Sequence, residues 1–298
     1  MNANINAALP EGQKEKIKRL NKSDIQPRRM DFTFDKDIPL YWFDNSPFKS
    51  ILLTALSCTF PEGERFFMRS VRNYQPRLHS EKLKEEVKGF IGQEAHHGNE
   101  HEHFNALMAE KGLPTHEVEK FVHNGLQWQE KILSPERCLA KTCALEHFTA
   151  ILAELLLSEK DFTKGMDERL LPLWTWHAIE ESEHKSVAFD VYQEQVGNYW
   201  IRVSEMAVTT LEFTSFTVFH YLQLRKNTND KRGWPSVREG WNWLLGKPGF
   251  LRKLGPAYLS YYRRDFHPSK RDRRQLRDAG LKKLATMLNR PELLEEAV

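Results

Sequence analysis

Polar and apolar positions along this chain fall into long blocks separated by proline and glycine. No block shows the sustained two-residue alternation of a half-buried strand, so the pattern predicts an all-α protein. Residues 1 to about 45 are polar and punctuated by Pro10, Pro27 and Pro39, with a basic stretch from Lys14 to Arg29 and the aromatics Phe32, Phe34, Tyr41, Trp42 and Phe43. That composition reads as an arm packing on a helical body. A first helix is predicted over about Ser46 to Tyr74, kinked near Pro61 and Gly63. A second runs from about Ser80, a candidate N-cap, to Lys111, with Gly112 and Pro114 as stop signals. A connector with a short helix over Phe121 to Lys131 follows. A third helix spans about Pro135 to Asp161, with Ser134 and Pro135 in the favoured cap and first-turn positions. A fourth spans about Glu168 to Val196, and a fifth, apolar one about Tyr199 to Arg225. The resulting division is an arm over 1–45, a helical body over 46–225, and a basic, aromatic extension over 226–298.

Two of these helices carry the same pattern. Glu94-x-x-His97 lies in QEAHHGNEH and Glu181-x-x-His184 in EESEHKSVAF. Residues three apart share a helix face, so each pattern aims one carboxylate and one imidazole at the same point. Dinuclear carboxylate sites in four-helix bundles use two such motifs plus one lone Glu from each of the other two helices. Glu64 and Glu146 fill those places. Glu64 precedes Glu94 by 30 residues and Glu146 precedes Glu181 by 35, separations that suit facing points on antiparallel helices joined by short turns. The 49 residues from His97 to Glu146 leave room for a crossover.

A single Glu-x-x-His arises by chance in many helices; two copies with two lone Glu residues are far more specific. The plain alternative for Glu64 is an acidic residue favouring the helix N-terminus after Pro61. For Glu146 it is a buried partner of an arginine. His101, one turn beyond His97, is a candidate third imidazole or a hydrogen-bond partner that orients a ligand. His177, four residues before Glu181, is a further candidate on similar geometry. His96, His103 and His147 fall elsewhere on the helical wheel and read as surface or packing residues, as do Glu180 and Glu183, which are expected at solvent or a neighbouring helix. Glu154 and the nearby Phe67, Phe90, Phe104, Phe148, Thr149 and Ala150 are candidates to line a cavity.

The quoted segments also carry a resemblance. LSCTFPEGERFFMRSVRNY (Leu56 to Tyr74), FIGQEAHHGNEHEHFN (Phe90 to Asn105), ALEHFTA, HAIEESEHKSVAFDVY and the late Phe266 to Pro268 together resemble the bacterial family of predicted metal-dependent hydrolases. The likeness runs over roughly Arg29 to Pro268. It implies a ferritin-like bundle related to the di-iron carboxylate proteins, with Glu64, Glu94, His97, Glu146, Glu181 and His184 as ligands.

Composition narrows the chemistry. With 40% hydrophobic and 11% aromatic residues in 298, the chain can bury a large core. Three cysteines without a Cys-x-x-Cys spacing argue against both a disulfide framework and a thiolate zinc site. Carboxylates with imidazoles make an oxygen-rich site suited to two iron ions, with manganese or zinc as alternatives. Glu64, Glu94 and His97 are assigned to one ion and Glu146, Glu181 and His184 to the other, Glu94 and Glu181 bridging. The expected activity is an oxygen-activating oxidase or oxygenase on a small apolar or fatty-acyl substrate. A hydrolase using metal-activated water is the alternative, and an iron-oxidising or storage protein a further one. No flavin, nicotinamide or iron-sulfur motif is present, so an oxygenase would need a separate protein as electron donor. The net charge is only +3, but basic residues concentrate between Lys247 and Lys283, a composition suited to peripheral contact with an anionic membrane. No nucleic-acid-reading motif is found. Without a secretory signal pattern the expected location is cytoplasmic, at most peripheral to the inner face of the membrane. The apolar fifth helix is interrupted by Arg202, Glu205, Glu212 and His220, which argues against spanning. A homo-oligomer is compatible with the sequence.

Overall fold

The computed structural model describes residues 25–228, 233–247 and 249–297. The basic stretch beginning at Lys14 lies outside them except for its last residues. The protein is all-α: the described residues form eleven α-helices and three short 3-10 helices, and their β-pairing is confined to an isolated bridge between Phe43 and Met166.

The predicted first helix is two. Helix α1 covers Pro47–Ser57 and α2 covers Phe60–Arg72. Pro61 lacks an N–H and so begins a helix more readily than it continues one. Before it, the Thr59 N–H bonds the Leu56 carbonyl in a tighter turn and the ladder restarts. Helix α3, Glu81–Glu110, begins where expected, with the Ser80 hydroxyl accepting from the Leu83 N–H, and stops at Gly112, whose φ of 92° suits glycine. The connector is more helical than its sequence suggests, with α4 spanning Thr115–Ile132. Helix α5 is Pro135–Ser158. The predicted fourth helix is also two, α6 over Leu171–His184 and α7 over Val187–Gln195, with the break directly after the second motif histidine. Helix α8, Tyr199–Lys226, is capped by the Asn198 side chain. The extension adds α9 (Trp234–Leu245), α10 (Phe250–Ser260) and α11 (Arg274–Leu288).

Helices α2, α3, α5 and α6 form the frame of the site: α2 packs on α3 and α5, and α6 on α3 and α5, while α8 lies along α5 and α1. The apolar core forms two clusters. One gathers Trp42, Phe104, Leu155, Trp174 and Ile179. The other gathers Phe66, Phe90, Leu139, Ala144 and Val187. Along the chain the motif residues lie between positions of the two clusters: Glu64 falls between Phe60, which packs on the first, and Phe66, Glu94 and His97 fall between Phe90 and Phe104, and Glu146 falls between Ala144 and Leu155. Glu181 and His184 come between Ile179 and Val187. A polar layer therefore divides the core.

The arm crosses α3 at Gly89 and Gly92. A Cβ at Gly89 would stand 2.5 Å from the Ile25 carbonyl oxygen, and one at Gly92 would stand 2.5 Å from Pro27 Cγ. These contacts let the chain lie flush and carry Arg28 into the interior. Further along, Trp42 stacks on Trp174 and meets Phe104 edge-on. At the other end of the chain, α10 packs on α5, and α11 on α5 and α6. Many of the basic side chains there are engaged locally: Arg271 and Arg273 pair with Glu154, Arg274 with Asp272, and Arg277 with Asp278. Glu154 is thereby turned away from the cavity where it was expected. No described helix is long and apolar enough to cross a membrane.

Candidate metal centre

The polar layer brings together all six motif carboxylates and imidazoles, each buried. Three sets have ligand atoms mutually within 4.8 Å: Glu64, His97 and His177; Glu94, Glu146 and His184; and Glu94, His97 and Glu181. The pairing is crossed relative to the sequence motifs. Glu94 Oε1 lies 3.0 Å from His184 Nε2 of the other motif, with Glu146 Oε2 and Glu181 Oε2 both at 3.5 Å from the same nitrogen. Glu181 Oε1 in turn lies 3.1 Å from His177 Nε2 and 3.8 Å from His97 Nδ1.

Both plain alternatives fail on geometry. The first-turn acid of α2 is Glu62, paired with Arg65 and His123, which leaves Glu64 buried two residues further on. Glu146 faces His184 at 3.5 Å rather than an arginine.

Two of the imidazoles are hydrogen-bonded from behind, and a third faces a carboxylate there. The His184 Nδ1–H donates to Gln93 Oε1 at 2.9 Å, leaving Nε2 toward the carboxylates. His97 Nε2 is 3.1 Å from Glu180 Oε2, which puts Nδ1 on the Glu181 side. Behind His177 is a longer chain. The Asn105 amide NH2 donates to Glu119 and to the Ser57 carbonyl, so Asn105 Oδ1 accepts from the Ser57 hydroxyl at 2.7 Å. That hydroxyl must then accept from the His101 Nδ1–H at 2.8 Å, and His101 Nε2 accepts from the His177 Nδ1–H at 2.7 Å. A neutral His177 consequently presents its Nε2 lone pair to Glu181, and to Glu64 at 4.0 Å. His101, a candidate ligand by spacing, has both nitrogens committed to this chain and positions His177 instead.

Glu180 and Glu183, expected at solvent or a neighbouring helix, are buried acceptors for the arm. The Arg28 guanidinium bonds Glu180 Oε1 at 3.2 Å and both Glu183 oxygens at 2.8 Å. Burial outweighs Arg28 at Glu180 and pushes its pKa up to about 8. Sequence alone missed this linkage, because the signal is a pair of glycines on another helix. Of the other neighbours, His147 packs with Nε2 at 3.1 Å from the Ala257 carbonyl, and His103 is exposed.

The electrostatics demand positive charge. Burial, reinforced by mutual repulsion, pushes Glu64 and Glu146 well above the usual carboxylate range, and burial also raises Glu94. Burial acts the same way on Glu181, but the charge of His184 and the adjoining His177 and His184 rings outweigh it and hold Glu181 well below that range. Burial disfavours a charged His184, yet Glu181, Glu146 and Glu94 together raise its pKa well above normal. Both oxygens of Glu64, Glu94 and Glu146, both nitrogens of His97, His184 Nε2 and Glu181 Oε2 are buried without a hydrogen-bond partner. Such convergence of orphaned acceptors is costly unless a cation satisfies them, so these residues fit a metal.

A cavity of about 220 Å3 reaches this layer, with Glu64 and Glu181 in its wall. Phe67 and Thr149 line it as expected; Phe90, Phe104, Phe148 and Ala150 do not. Phe90 instead packs its ring edge-on with His184.

The model of a family described as predicted metal-dependent hydrolases matches residues 26–272. The chain belongs to that family. No curated protein and no solved structure matches it. Membership corrects the expectation of an oxygen-activating oxidase or oxygenase: the family is one of predicted metal-dependent hydrolases and accords with the hydrolytic alternative. The buried His/Glu groups accord with a metal-dependent member of this family.

Proposed function

We propose that this protein is a dinuclear metal-dependent hydrolase whose ions are held by seven residues: Glu64, Glu94, His97, Glu146, His177, Glu181 and His184. The observation that carries the reading is the convergence of orphaned carboxylate and imidazole atoms in one buried layer, in a member of a family of predicted metal-dependent hydrolases. Glu94, Glu146 and His184 are assigned to one ion and Glu64, His97 and His177 to the other, with Glu94 and Glu181 shared. Four carboxylates and three imidazoles without thiolates favour iron or manganese, zinc being the alternative. Bound ions of this kind supply Lewis-acid polarisation of a carbonyl or phosphoryl oxygen and acidify water at neutral pH.

The remaining work falls to the chain. Gln93 and His101 fix the rings of His184 and His177 by hydrogen bonds, and Glu180 lies 3.1 Å from His97 Nε2. The two core clusters exclude water on either side of the layer. Glu64 and Glu181 are the acidic groups at the cavity wall near the layer, where a cleavable bond would approach.

Chelation followed by reloading with Mn(II), Fe(II) or Zn(II), and assay on esters, amides and phosphoesters, tests the reading. Hydrolysis that returns with metal and is abolished by Glu94→Gln supports it. Hydrolysis indifferent to chelation, or absent on all three bond types with metal bound, overturns it.

A further inference from the structure

The cavity beside the metal layer has a composition of its own. It lies between α2, α4, α5 and α8, and its walls are made chiefly by Phe60, Phe67, Leu126, Leu145, Phe213 and Phe216. Polar groups in that wall are few. Lys141 and Glu212 pair with each other, which neutralises the charge they bring. Gln129 Oε1, Thr209 Oγ1 and His220 Nε2 are buried without partners, isolated points where a polar atom of a ligand would bond. Along α8 the lining runs from Thr209 to His220, three turns or about 16 Å. At the outer side Phe121, Trp128 and Phe216 line the cavity while remaining 42%, 60% and 41% exposed, and Leu211 and Phe219 continue the apolar surface on α8. A sugar or nucleotide would lose its hydration here with little to replace it. An apolar chain would lose nothing and find a continuous path from an apolar rim to two carboxylates.

We propose that this cavity binds the alkyl or acyl chain of an ester-like substrate, of about dodecanoyl length, with the cleavable group placed against Glu64 and Glu181. The proposal rests on the hydrolase reading of the adjoining layer. In the cleavage the acyl carbon–oxygen bond breaks, water gives its hydroxyl to the acyl carbon, and its proton goes to the leaving alcohol. The chain in the cavity sets which esters reach that point.

Gly125 allows a direct test, because it lines the cavity on α4 and a Cβ there would meet nothing within 4 Å. Gly125→Phe should fill the cavity, and Gly125→Leu is the smaller version if the first fails to fold. Binding of ethanol, hexanol and dodecanol is read by displacement of a neutral fluorescent naphthylamine probe from the metal-loaded full chain. Hydrolysis of p-nitrophenyl acetate and dodecanoate is measured in parallel, with metal content and melting temperature as controls. Affinity should rise with chain length, by about tenfold or more from hexanol to dodecanol. The folded variant should lose about tenfold or more for dodecanol and the dodecanoate ester and less than that for the acetate ester, with metal content unchanged. Absence of a chain-length trend, or dodecanol affinity untouched by the filled cavity, overturns the proposal. The expected alcohol binding with neither ester cleaved would support the cavity as an alkyl site and count against the hydrolase reading alone.

Discussion

His177 Nδ1 and His101 Nε2 face each other at 2.7 Å, and the proton between them belongs to His177. Its owner is decided remotely, by an asparagine whose NH2 is committed to Glu119 and to a backbone carbonyl. Ser57→Ala removes the acceptor that fixes the His101 tautomer. It should weaken metal binding about 10-fold to 100-fold in competition with a chelator, the usual cost of losing a hydrogen bond behind a ligand, whereas Ser57→Thr should keep it. The imidazole 15N shifts of His177 should change in Ser57→Ala alone. Unchanged affinity and shifts would separate His177 from the chain behind it.

Arg28 is the arm's contribution to the interior. Arg28→Met leaves Glu180 and Glu183 buried without their cation, which costs about 3–5 kcal/mol where a buried pair is broken on one side. Denaturant unfolding should record a loss of that order. Double replacement, Arg28→Met with Glu183→Gln, should recover part of it. A loss no larger than that of a surface substitution would mean the arm is dispensable.

Gly98 is where α3 passes close to Glu64 and Pro61. An added Cβ would lie 3.1 Å from Glu64 Oε2 and 3.5 Å from Pro61 Cα, with backbone on one side and a proposed ligand on the other. Gly98→Ala should therefore reduce metal affinity about tenfold or more while the gain in helix propensity, about 1 kcal/mol, offsets much of the strain in the metal-free fold. Chelator competition and thermal melting of the metal-free protein separate the two effects.

The metal-free protein should respond to pH in an unusual direction. Glu180 is raised from 4.5 to about 8, and Glu64, Glu94 and Glu146 are raised as well. The folded state then holds protons that the unfolded chain has released, so stability falls as pH rises from 4.5 towards about 8. His97 and His101, lowered by burial, oppose this only below their ordinary 6.5. Melting temperature of chelated protein should fall from mildly acid to mildly alkaline pH. With metal bound it should rise over the same range, because the ions need the ligands deprotonated. Parallel slopes in the two states would contradict the assignment of these carboxylates as ligands.

Much of this arrangement could be read from the sequence. The helical class follows from the missing alternation, and Glu64, Glu94, His97, Glu146, Glu181 and His184 do converge. Periodicity gave each residue a face but not a partner, so it missed the crossing that sets Glu94 against His184. Spacing also ranked His101 above His177, because both share a helix face with a motif residue; hydrogen bonds from α1 reverse the order. The breaks after Ser57 and His184 fall where Pro61 restarts a helix and where α7 begins, and only the first had a local signal. Glu180 resembled a surface acid until the packing of the arm across Gly89 and Gly92 brought Arg28 to it.

Counting metal tests the central claim most directly. Full-length protein is stripped with chelator, titrated with Mn(II) or Fe(II) under anaerobic conditions, desalted and analysed for bound ions. About two ions per chain are expected, as in other paired Glu-x-x-His sites, falling to one or fewer in Glu94→Gln and Glu181→Gln. A wild-type chain that retains no metal, or variants that retain as much as wild type, would contradict the account.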